Sequence, residues 1–400
     1  MEYNFDEIID RRHTNSAKFD EMDALFGSDV MHLGVADMDY RSPEPILNAM
    51  QKIVKKGVFG YTILPDNYQD LVCQWMLRRY HEKIDPEWVV FSPRINMALN
   101  MVVETFTNPG DGIVLHTPAY TALQNAIEKY DRKMIESSLV LENGRYRMDF
   151  KQLREALDDN LKKGIHISLM LLCNPHNPTG RVWNKGELDE IASICKDYNL
   201  MLVADEIHAD FAFQGKHQVF ANLKKEYEEM TIACTSPGKT FNLAGLQTSN
   251  IFIPNQKLKN AFKKQLAAAG YSQLNAAGLV ACEAAYRDGE EWYQAMKKYV
   301  AGNIAFTKEF VEKNLPGVNM VEHEGTYLIW LDFNGLGLCA QELEDLIVHK
   351  AKLWLDSGRI FGKCGRGFQR INVACPQSTL KEALERIAEV LPADTIKAAS

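Results

Sequence analysis

The sequence has no long apolar run. A helix needs about 20 apolar residues to cross a bilayer. The longest apolar stretch, Ile165 to Cys173, is interrupted by His166 and Ser168 and has the length of a buried strand. The first residues, Met1 to Glu7, also lack the basic and then apolar profile of a signal peptide. We therefore expect no membrane partner.

An excess of positive charge is missing as well. Lys and Arg total 45 against 53 Asp and Glu, which gives a net charge of −8 at pH 7, and no basic cluster stands out. Because nucleic-acid binding depends on a basic surface, we expect no nucleic-acid partner.

Paired cysteines and metal-ligand spacings are absent too. The eight cysteines form no Cys-x-x-Cys pair, and the ten histidines include no His-Glu-x-x-His. We therefore expect no metal ion. Scattered cysteines in apolar segments are typical of reduced, structural thiols, which favours a cytoplasmic protein.

The 400 residues, 46% hydrophobic and 24% charged, have the composition of a globular protein of two or three domains. Strand-like and helix-like segments alternate between residues 111 and 235, which predicts an α/β domain with a mostly parallel sheet flanked by helices. The pattern changes near residue 285 and predicts a smaller α+β domain. We expect a large domain over 46–285, a small domain over 286–400, and an N-terminal segment, 1–45, that contributes to the small domain and to the substrate pocket.

Polar or turn residues follow each predicted strand of the large domain. Ligands of parallel sheets collect at the carboxyl ends of the strands. These strand ends therefore predict one shared site, formed by Thr117-Pro118-Ala119-Tyr120, Asn174-Pro175-His176-Asn177, Asp205-Glu206-Ile207-His208 and Ser236-Pro237-Gly238-Lys239.

Two nucleotide-binding patterns match only in part. Gly238-Lys239-Thr240 resembles the end of a P-loop, but Ala233 stands where its first glycine belongs. Gly335 to Ala340 fits G-x-G-x-x-A, yet too few residues follow for a dinucleotide fold. We therefore expect neither site.

Four elements in a fixed order carry the chemical signal. Asn174 to Gly180 reads equally as a tight turn, and Asp205 could merely cap a helix. Lys239 stands among small and apolar residues, where burial would lower the pKa of its amine and free it as a nucleophile or base. Arg370 enters a strand, a position that suits a guanidinium that binds a carboxylate.

Taken together, these elements resemble the fold-type I pyridoxal phosphate (PLP) enzymes, the aspartate aminotransferase superfamily, over nearly the whole chain. The segments Val35–Tyr40, Gly60–Thr62, Asp205–His208 and Lys239–Leu246 look like the branch of cystathionine β-lyases and cysteine-S-conjugate β-lyases. Most aminotransferases carry Tyr at the position of His208, and commonly a basic residue at that of Gln247. Two positions depart from the family. Arg94-Ile95-Asn96 stands where Gly and Ser are usual, and Gly238 where Ser often precedes the lysine.

The resemblance implies PLP as cofactor and assigns residues to it. Lys239 would bond covalently to PLP and, once released, would remove the Cα proton of the substrate. Asp205 would pair with the pyridinium nitrogen, which keeps the ring an electron sink. The remaining cofactor contacts would be Asn174 and His208 at the phenolic oxygen, Tyr120 stacked on the ring, and Ser236 with the N–H groups of Ile95 and Asn96 at the phosphate.

The resemblance also implies how substrate is bound. Arg370 would hold the α-carboxylate with two parallel hydrogen bonds, and Val35 and Asn174 would line the substrate pocket. Tyr61 would reach the active site of a partner subunit, so a homodimer is implied. Lys239, Tyr120 and Tyr61 are the expected catalytic residues.

Three functions stay open on the sequence. The branch favours β-elimination of an S-substituted cysteine such as cystathionine, which gives thiol, pyruvate and ammonia. The alternative is transfer of the amino group to a 2-oxo acid, as in class I/II aminotransferases. A regulatory, partner-binding protein on the same fold is the third possibility, because fold does not fix function.

Overall fold

The computed structural model describes residues 3–391; residues 1–2 and 392–400 of the predicted domains lie outside the described residues. The helices are α1 (Met22–Phe26), α2 (Glu44–Lys56), α3 (Tyr68–Tyr80), α4 (Ile95–Phe106), α5 (Thr121–Glu128), α6 (Phe150–Lys162), α7 (Lys185–Asp197), α8 (Pro237–Thr240), α9 (Gln256–Ala268), α10 (Ala276–Asp288), α11 (Glu290–Asn314), α12 (Ala340–Glu344) and α13 (Gln377–Val390). The strands are β1 (Met31–His32), β2 (Val89–Ser92), β3 (Gly112–Thr117), β4 (Lys133–Ser138), β5 (Val140–Glu142), β6 (Arg145–Arg147), β7 (Ile167–Cys173), β8 (Met201–Asp205), β9 (Thr231–Thr235), β10 (Ser249–Phe252), β11 (Asn319–Met320), β12 (Leu328–Asp332), β13 (Leu353–Trp354), β14 (Asp356–Ser357) and β15 (Phe368–Asn372).

A seven-stranded sheet forms the centre of the larger part, in the order β2-β10-β9-β8-β7-β3-β4. Strands β4, β3, β7, β8 and β9 run parallel, while β10 is antiparallel to both β9 and β2. The inner strands are apolar and buried on both faces because helices cover both sides of the sheet. The predicted α/β fold is confirmed.

The carboxyl ends of four parallel strands lie at one edge of this sheet. In the register, Cys173 pairs with Asp205, and Asp205 pairs with Cys234. The residues that follow β3, β7, β8 and β9 therefore lie close together, as the strand-end pattern predicts.

A second sheet is antiparallel, in the order β11-β12-β15-β14, and packs with α11 and α13. Arg370 lies inside β15 rather than at its start, and its partner across the sheet on β14 is Asp356. The expected strand from Gly325 begins later, at Leu328, because Thr326 has φ 72° and forms part of a turn. The domain boundaries at 45 and 285 stay a prediction.

The N-terminal segment lies between the two sheets. β1 pairs in parallel with β13, with Met31 opposite Leu353. The Asn372 side chain donates to the backbone oxygens of Val35, at 2.8 Å, and Asp37, at 2.6 Å. On the other side, Asn242 accepts from the Met38 N–H at 3.0 Å. The segment 35–38 is therefore fixed to both parts of the molecule.

Among residues 3–391, no helix combines the length and apolarity needed to cross a membrane.

Candidate active site

Asn174 follows β7 and is buried, with 1% of its surface exposed. Its Oδ1 accepts the Trp183 N–H at 3.1 Å, and its Nδ2 lies 3.5 Å from Nδ1 of the buried His217. These contacts fix the orientation of the amide at the end of the strand. In the same loop, Asn177 Oδ1 accepts a hydrogen bond from Arg370 Nη1 at 2.8 Å, so the loop connects both sheets.

Asp205 ends β8 and is buried. Burial raises the pKa of its carboxyl to about 6, although the Ile207 N–H and the charge of Lys239 both act to lower it. The Ile207 N–H donates to Oδ1 at 3.1 Å, so the capping interaction weighed from the sequence is also present. The carboxylate thus stands in low dielectric near a single amine.

His208 lies three residues further and is also buried. Among residues 3–391, its Nδ1 has no hydrogen-bond partner. Burial, followed by the charges of Lys239 and Arg370, lowers the pKa of the imidazole well below its usual value. The ring of Tyr327 packs edge-on against it, with the ring centroids 5.6 Å apart. A buried unpartnered nitrogen is costly unless a ligand satisfies it.

Lys239 lies in the short helix α8 after β9 and is partly buried. Its Nζ donates to the backbone oxygen of Ala36 at 2.5 Å. Burial, together with the charge of Arg370, lowers the pKa of the amine to about 8, although the charges of Asp37 and Asp205 act to raise it. Near neutral pH, a useful fraction of this amine is therefore unprotonated.

A buried carboxylate holds the residue next to Lys239. The Thr240 hydroxyl donates to Asp210 Oδ2 at 2.6 Å. Asp210 also accepts from the Tyr80 hydroxyl at 2.5 Å and from Trp75 Nε1 at 3.3 Å. Since Tyr80 and Trp75 belong to α3, Asp210 connects this buried helix to Thr240 and so fixes the position of the neighbouring lysine.

Ser236 caps α8 instead of standing free. Its hydroxyl accepts the Gly238 N–H at 2.9 Å and donates to the Thr248 oxygen at 2.7 Å. By contrast, α4 begins at Ile95 without a side-chain cap from Arg94. The first N–H groups of α4, including those of Ile95 and Asn96, have no carbonyl partner within the helix and favour an anion.

Tyr120 follows β3 and is partly buried, so its position after this strand agrees with the sequence. Burial raises the pKa of its phenol, while the charge of Arg370 and a hydrogen bond with the Asn96 side chain lower it. The charge of Asp205 also acts on it. Tyr120 therefore stands among the other predicted site residues.

Arg370 is buried and its guanidinium is heavily engaged. Besides the bond to Asn177, Nη2 donates to the Gly34 oxygen at 3.1 Å and to Asp356 Oδ2. Its Nε has no hydrogen-bond partner in the part of the chain that the structure describes, and the guanidinium carbon lies 5.0 Å from the centre of the Phe361 ring. The predicted carboxylate fork is thus present but partly occupied by the protein itself.

Two predicted residues lie at the margin of this cluster. Val35 is partly exposed, and its backbone oxygen accepts from Asn372. Tyr61 is 98% exposed and lies in an apolar stretch in which Val58, Phe59 and Ile63 are also exposed. Within one chain, the structure does not bring Tyr61 to the other site residues.

Sequence reasoning missed three residues. Tyr327 donates its hydroxyl to the Ala36 oxygen at 3.0 Å, beside Lys239. Asp37 acts on the Lys239 charge and lies in the Val35–Tyr40 segment that carried the resemblance, so that motif held the signal. Asp356 had no signal, because only strand register places it opposite Arg370.

A cavity of about 340 Å³ adjoins the cluster. The N-terminal segment lines it with Ile9, Arg11 and Asp37, and the loop after Lys239 lines it with Asn242 and Gly245. In the described part of the chain, no group of three or more His, Cys, Asp or Glu side chains is arranged to hold a metal ion.

Comparison with known proteins gives a consistent result. Residues 28–387 match the family model described as aminotransferase class I and II. The chain is 38% identical to the cystathionine beta-lyase PatB of Bacillus subtilis (strain 168) over 97% of its own length and 100% of the relative. It is similar to the PLP-bound putative aminotransferase of Clostridium difficile 630, with a TM-score of 0.93, 38% identity, and coverage of 98% and 100% of the two chains. It is also similar to the PLP-bound C-S lyase of Staphylococcus hominis, with a TM-score of 0.89, 32% identity and 98% coverage of both chains.

Proposed function

The chain belongs to the class I and II aminotransferase family, and from this premise we propose that it is a PLP-dependent carbon–sulfur β-lyase. Its substrates are cystathionine or related S-substituted cysteines, and its products are a thiol, pyruvate and ammonia. Likeness to a cystathionine beta-lyase and to a C-S lyase over almost the full chain supports this activity.

The observation that carries the proposal is the juxtaposition of Lys239 and Asp205. A partly buried amine with a pKa of about 8 interacts with a buried carboxylate at the ends of neighbouring strands. The unpartnered Nδ1 of His208 and the uncapped N-terminus of α4 add a polar contact and an anion site. PLP has an aldehyde for the amine, a pyridinium nitrogen for the carboxylate, a phenolic oxygen for the histidine and a phosphate for the helix N-terminus. The residues present therefore fit PLP.

Each of these groups has a role toward the cofactor. We assign the covalent bond to Lys239, the pyridinium contact to Asp205, the phenolic-oxygen contacts to Asn174 and His208, and the ring stacking to Tyr120. The phosphate contacts are assigned to the N–H groups of Ile95 and Asn96 and to Ser236, whose hydroxyl would have to leave the Thr248 oxygen to donate to the phosphate. When bound, PLP supplies an electron sink for the electrons left at Cα after deprotonation.

The chain's own residues supply binding and proton transfer. Arg370 binds the α-carboxylate of the amino acid, and the pocket near Val35 and Asn174 holds its side chain. The Lys239 amine, when free, accepts the proton from Cα as a general base, for which its lowered pKa is suited. A thiolate is a good leaving group from Cβ, and we assign to the same amine the proton transfer that accompanies its departure.

A homodimer completes the proposed site. The exposed apolar stretch of Val58, Phe59, Tyr61 and Ile63 is the kind of surface that a partner covers. We assign its partner as a second copy of this chain, with Tyr61 reaching the other subunit's active site. A cytoplasmic location fits the eight free cysteines, of which six are buried.

The deciding experiment assays both products of one reaction. The purified PLP-loaded protein is incubated with cystathionine, and pyruvate and free thiol are measured separately. We expect both in equal amounts, without an added 2-oxo acid. Formation of a keto acid only when a 2-oxo acid acceptor is supplied would instead establish transamination.

Transamination is the second candidate because one similar structure is described as a putative aminotransferase. The two activities differ in whether the sulfur leaves Cβ. Bound PLP without turnover of any thioether amino acid, and without amino transfer to any 2-oxo acid, would contradict both and would favour a regulatory role for the fold.

A further inference from the structure

Arg370 has fewer free donors than a carboxylate clamp requires. A guanidinium binds a carboxylate through two parallel N–H groups. These come either from Nη1 and Nη2 or from Nε and Nη2, so each arrangement needs one N–H of Nη2. In this protein Nη2 donates to the Gly34 oxygen and to Asp356 Oδ2, so both of its protons are used. The N–H of Nε has no partner among the described residues, but the Nη2 protons beside it are both engaged, so the two groups cannot bind a carboxylate together.

One of the two Nη2 acceptors must therefore yield before an α-carboxylate can bind in a bidentate manner. The Gly34 oxygen belongs to the backbone beside β1, and a Cβ placed on Gly34 would lie 2.1 Å from the Trp354 ring. That close packing holds the Gly34 backbone in place. The Asp356 acceptor is at the end of a side chain and can leave by rotation about χ1 and χ2.

Asp356 also resembles the ligand that would replace it. It is a carboxylate directly opposite Arg370 in the strand register, and 8% of its surface is exposed. Its charge compensates a buried guanidinium that would otherwise stand without a counter-ion, which is costly in low dielectric. An incoming α-carboxylate offers the same charge and the same acceptor geometry.

We propose that the Asp356 carboxylate stands in for the substrate. In the substrate-free protein it accepts the hydrogen bond from Arg370 Nη2 that the substrate α-carboxylate accepts once it is bound. Asp356 is a positioning residue that acts through Arg370, keeps the empty clamp neutral, and weakens carboxylate binding by competition. This role rests on the proposed function, since it takes Arg370 as the site of the α-carboxylate.

The test measures carboxylate binding separately from turnover. The probe is 3-(methylthio)propionate, which keeps the carboxylate and the thioether of S-methylcysteine but has no amine to react with the cofactor. Its Kd for the PLP-loaded protein is measured by calorimetry for the wild type, D356N, D356E and R370A. The matched control is S357A, the neighbouring position on β14, which faces Gln369.

We expect D356N to bind the probe about tenfold more tightly than the wild type, because a neutral amide gives up Nη2 more readily than a carboxylate. D356E and S357A should stay within about twofold of the wild type, and R370A should lose binding. The melting temperature of substrate-free D356N should fall and recover on addition of the probe, since the probe restores the missing charge.

Equal or weaker probe binding by D356N would overturn the proposal, as would unchanged binding by R370A. If D356N does not fold, an experimental structure of the wild type with the probe on Arg370 decides the question, and an intact bond between Asp356 and Nη2 in that complex would refute it. If the wild type releases no pyruvate from S-methylcysteine while D356N still tightens probe binding, the lyase assignment fails and the role of Asp356 stands.

Discussion

Lys239 and Tyr327 donate hydrogen bonds to the same acceptor, the backbone oxygen of Ala36. The lysine comes from the edge of the large sheet, and the tyrosine immediately precedes β12 of the second sheet. Their common acceptor belongs to the N-terminal segment, so three distant parts of the chain meet at the reactive amine.

Replacement of Lys239 should remove the covalent bond to the cofactor. Lys239→Ala is expected to lose the visible absorbance of bound PLP and to lower kcat by about a thousandfold or more, since the nucleophile and base are lost together. Borohydride reduction followed by peptide mapping should label Lys239 in the wild type.

Lys297 provides the matched control for that experiment, because burial also lowers the pKa of its amine to about 8. It lies on α11 and interacts with Arg79 and Asp210 instead of Asp205. Lys297→Ala should keep both label and activity. A label on Lys297, or on no lysine, would contradict the assignment.

Recombination of the cofactor-free protein with PLP should depend on pH through Lys239. Only the neutral amine attacks an aldehyde, and the pKa of this amine is about 8. The second-order rate should therefore rise about tenfold per unit below pH 8 and level off above it. A stopped-flow series from pH 6 to 10 measures this, and a rate that keeps rising to pH 10 would mean that the amine has its ordinary pKa.

Loss of Arg370 should affect binding more than chemistry. Arg370→Ala is expected to raise KM for an S-substituted cysteine by about a hundredfold with a smaller change in kcat, because two charge-assisted hydrogen bonds to the carboxylate are lost. Steady-state kinetics give both constants. Arg359→Ala is the control, since Arg359 is exposed and pairs with Glu344. An unchanged KM in the Arg370 variant would remove its proposed role.

Tyr61 should act across a dimer interface. The native mass should be twice the 45.4 kDa of one chain. Homodimers of Tyr61→Ala and of Lys239→Ala should each be nearly inactive. Mixing and re-association at equal amounts should restore about a quarter of the wild-type sites, because each mixed dimer holds one intact site. A monomeric protein, or no recovery from mixed dimers, would contradict this arrangement.

Asp210 should stabilise the part of the fold that carries Lys239. Asp210→Ala leaves the Tyr80 and Thr240 hydroxyls without their buried acceptor. The free energy of unfolding should fall by about 3 kcal/mol, measured by urea denaturation. Asp288→Ala removes an exposed carboxylate that pairs with Arg287 and should change it by less than about 0.5 kcal/mol. Equal changes in the free energy of unfolding of the two variants would show that Asp210 does not stabilise this part of the fold.

The sequence was sufficient for the large sheet and for most of the residues around Lys239. Apolar strands that end in polar residues predicted where Asn174, Asp205 and Lys239 would meet, because parallel strands share one edge. The sheet's antiparallel strand β10 carries no comparable pattern, and its pairing with β2 depends on contacts distant in sequence.

Residues placed by long-range register could not be found in this way. Asp356 reaches Arg370 only because β14 and β15 pair, and nothing local to Asp356 indicates that partner. Tyr327 likewise depends on where the second sheet meets the N-terminal segment. Only the resemblance indicates a role for Tyr61, because its side chain is exposed to solvent in the single chain.

The position of the N-terminal segment has a consequence for how the protein is made. Met31 pairs with Leu353, and the backbone oxygen of Leu33 accepts from the Asn372 N–H. Chains grow from the amino end, so the first forty residues leave the ribosome long before these partners exist. The cofactor site can therefore be completed only when translation is almost finished, because a nascent chain stopped before residue 353 would lack the β13 and β15 contacts that hold the N-terminal segment to the second sheet.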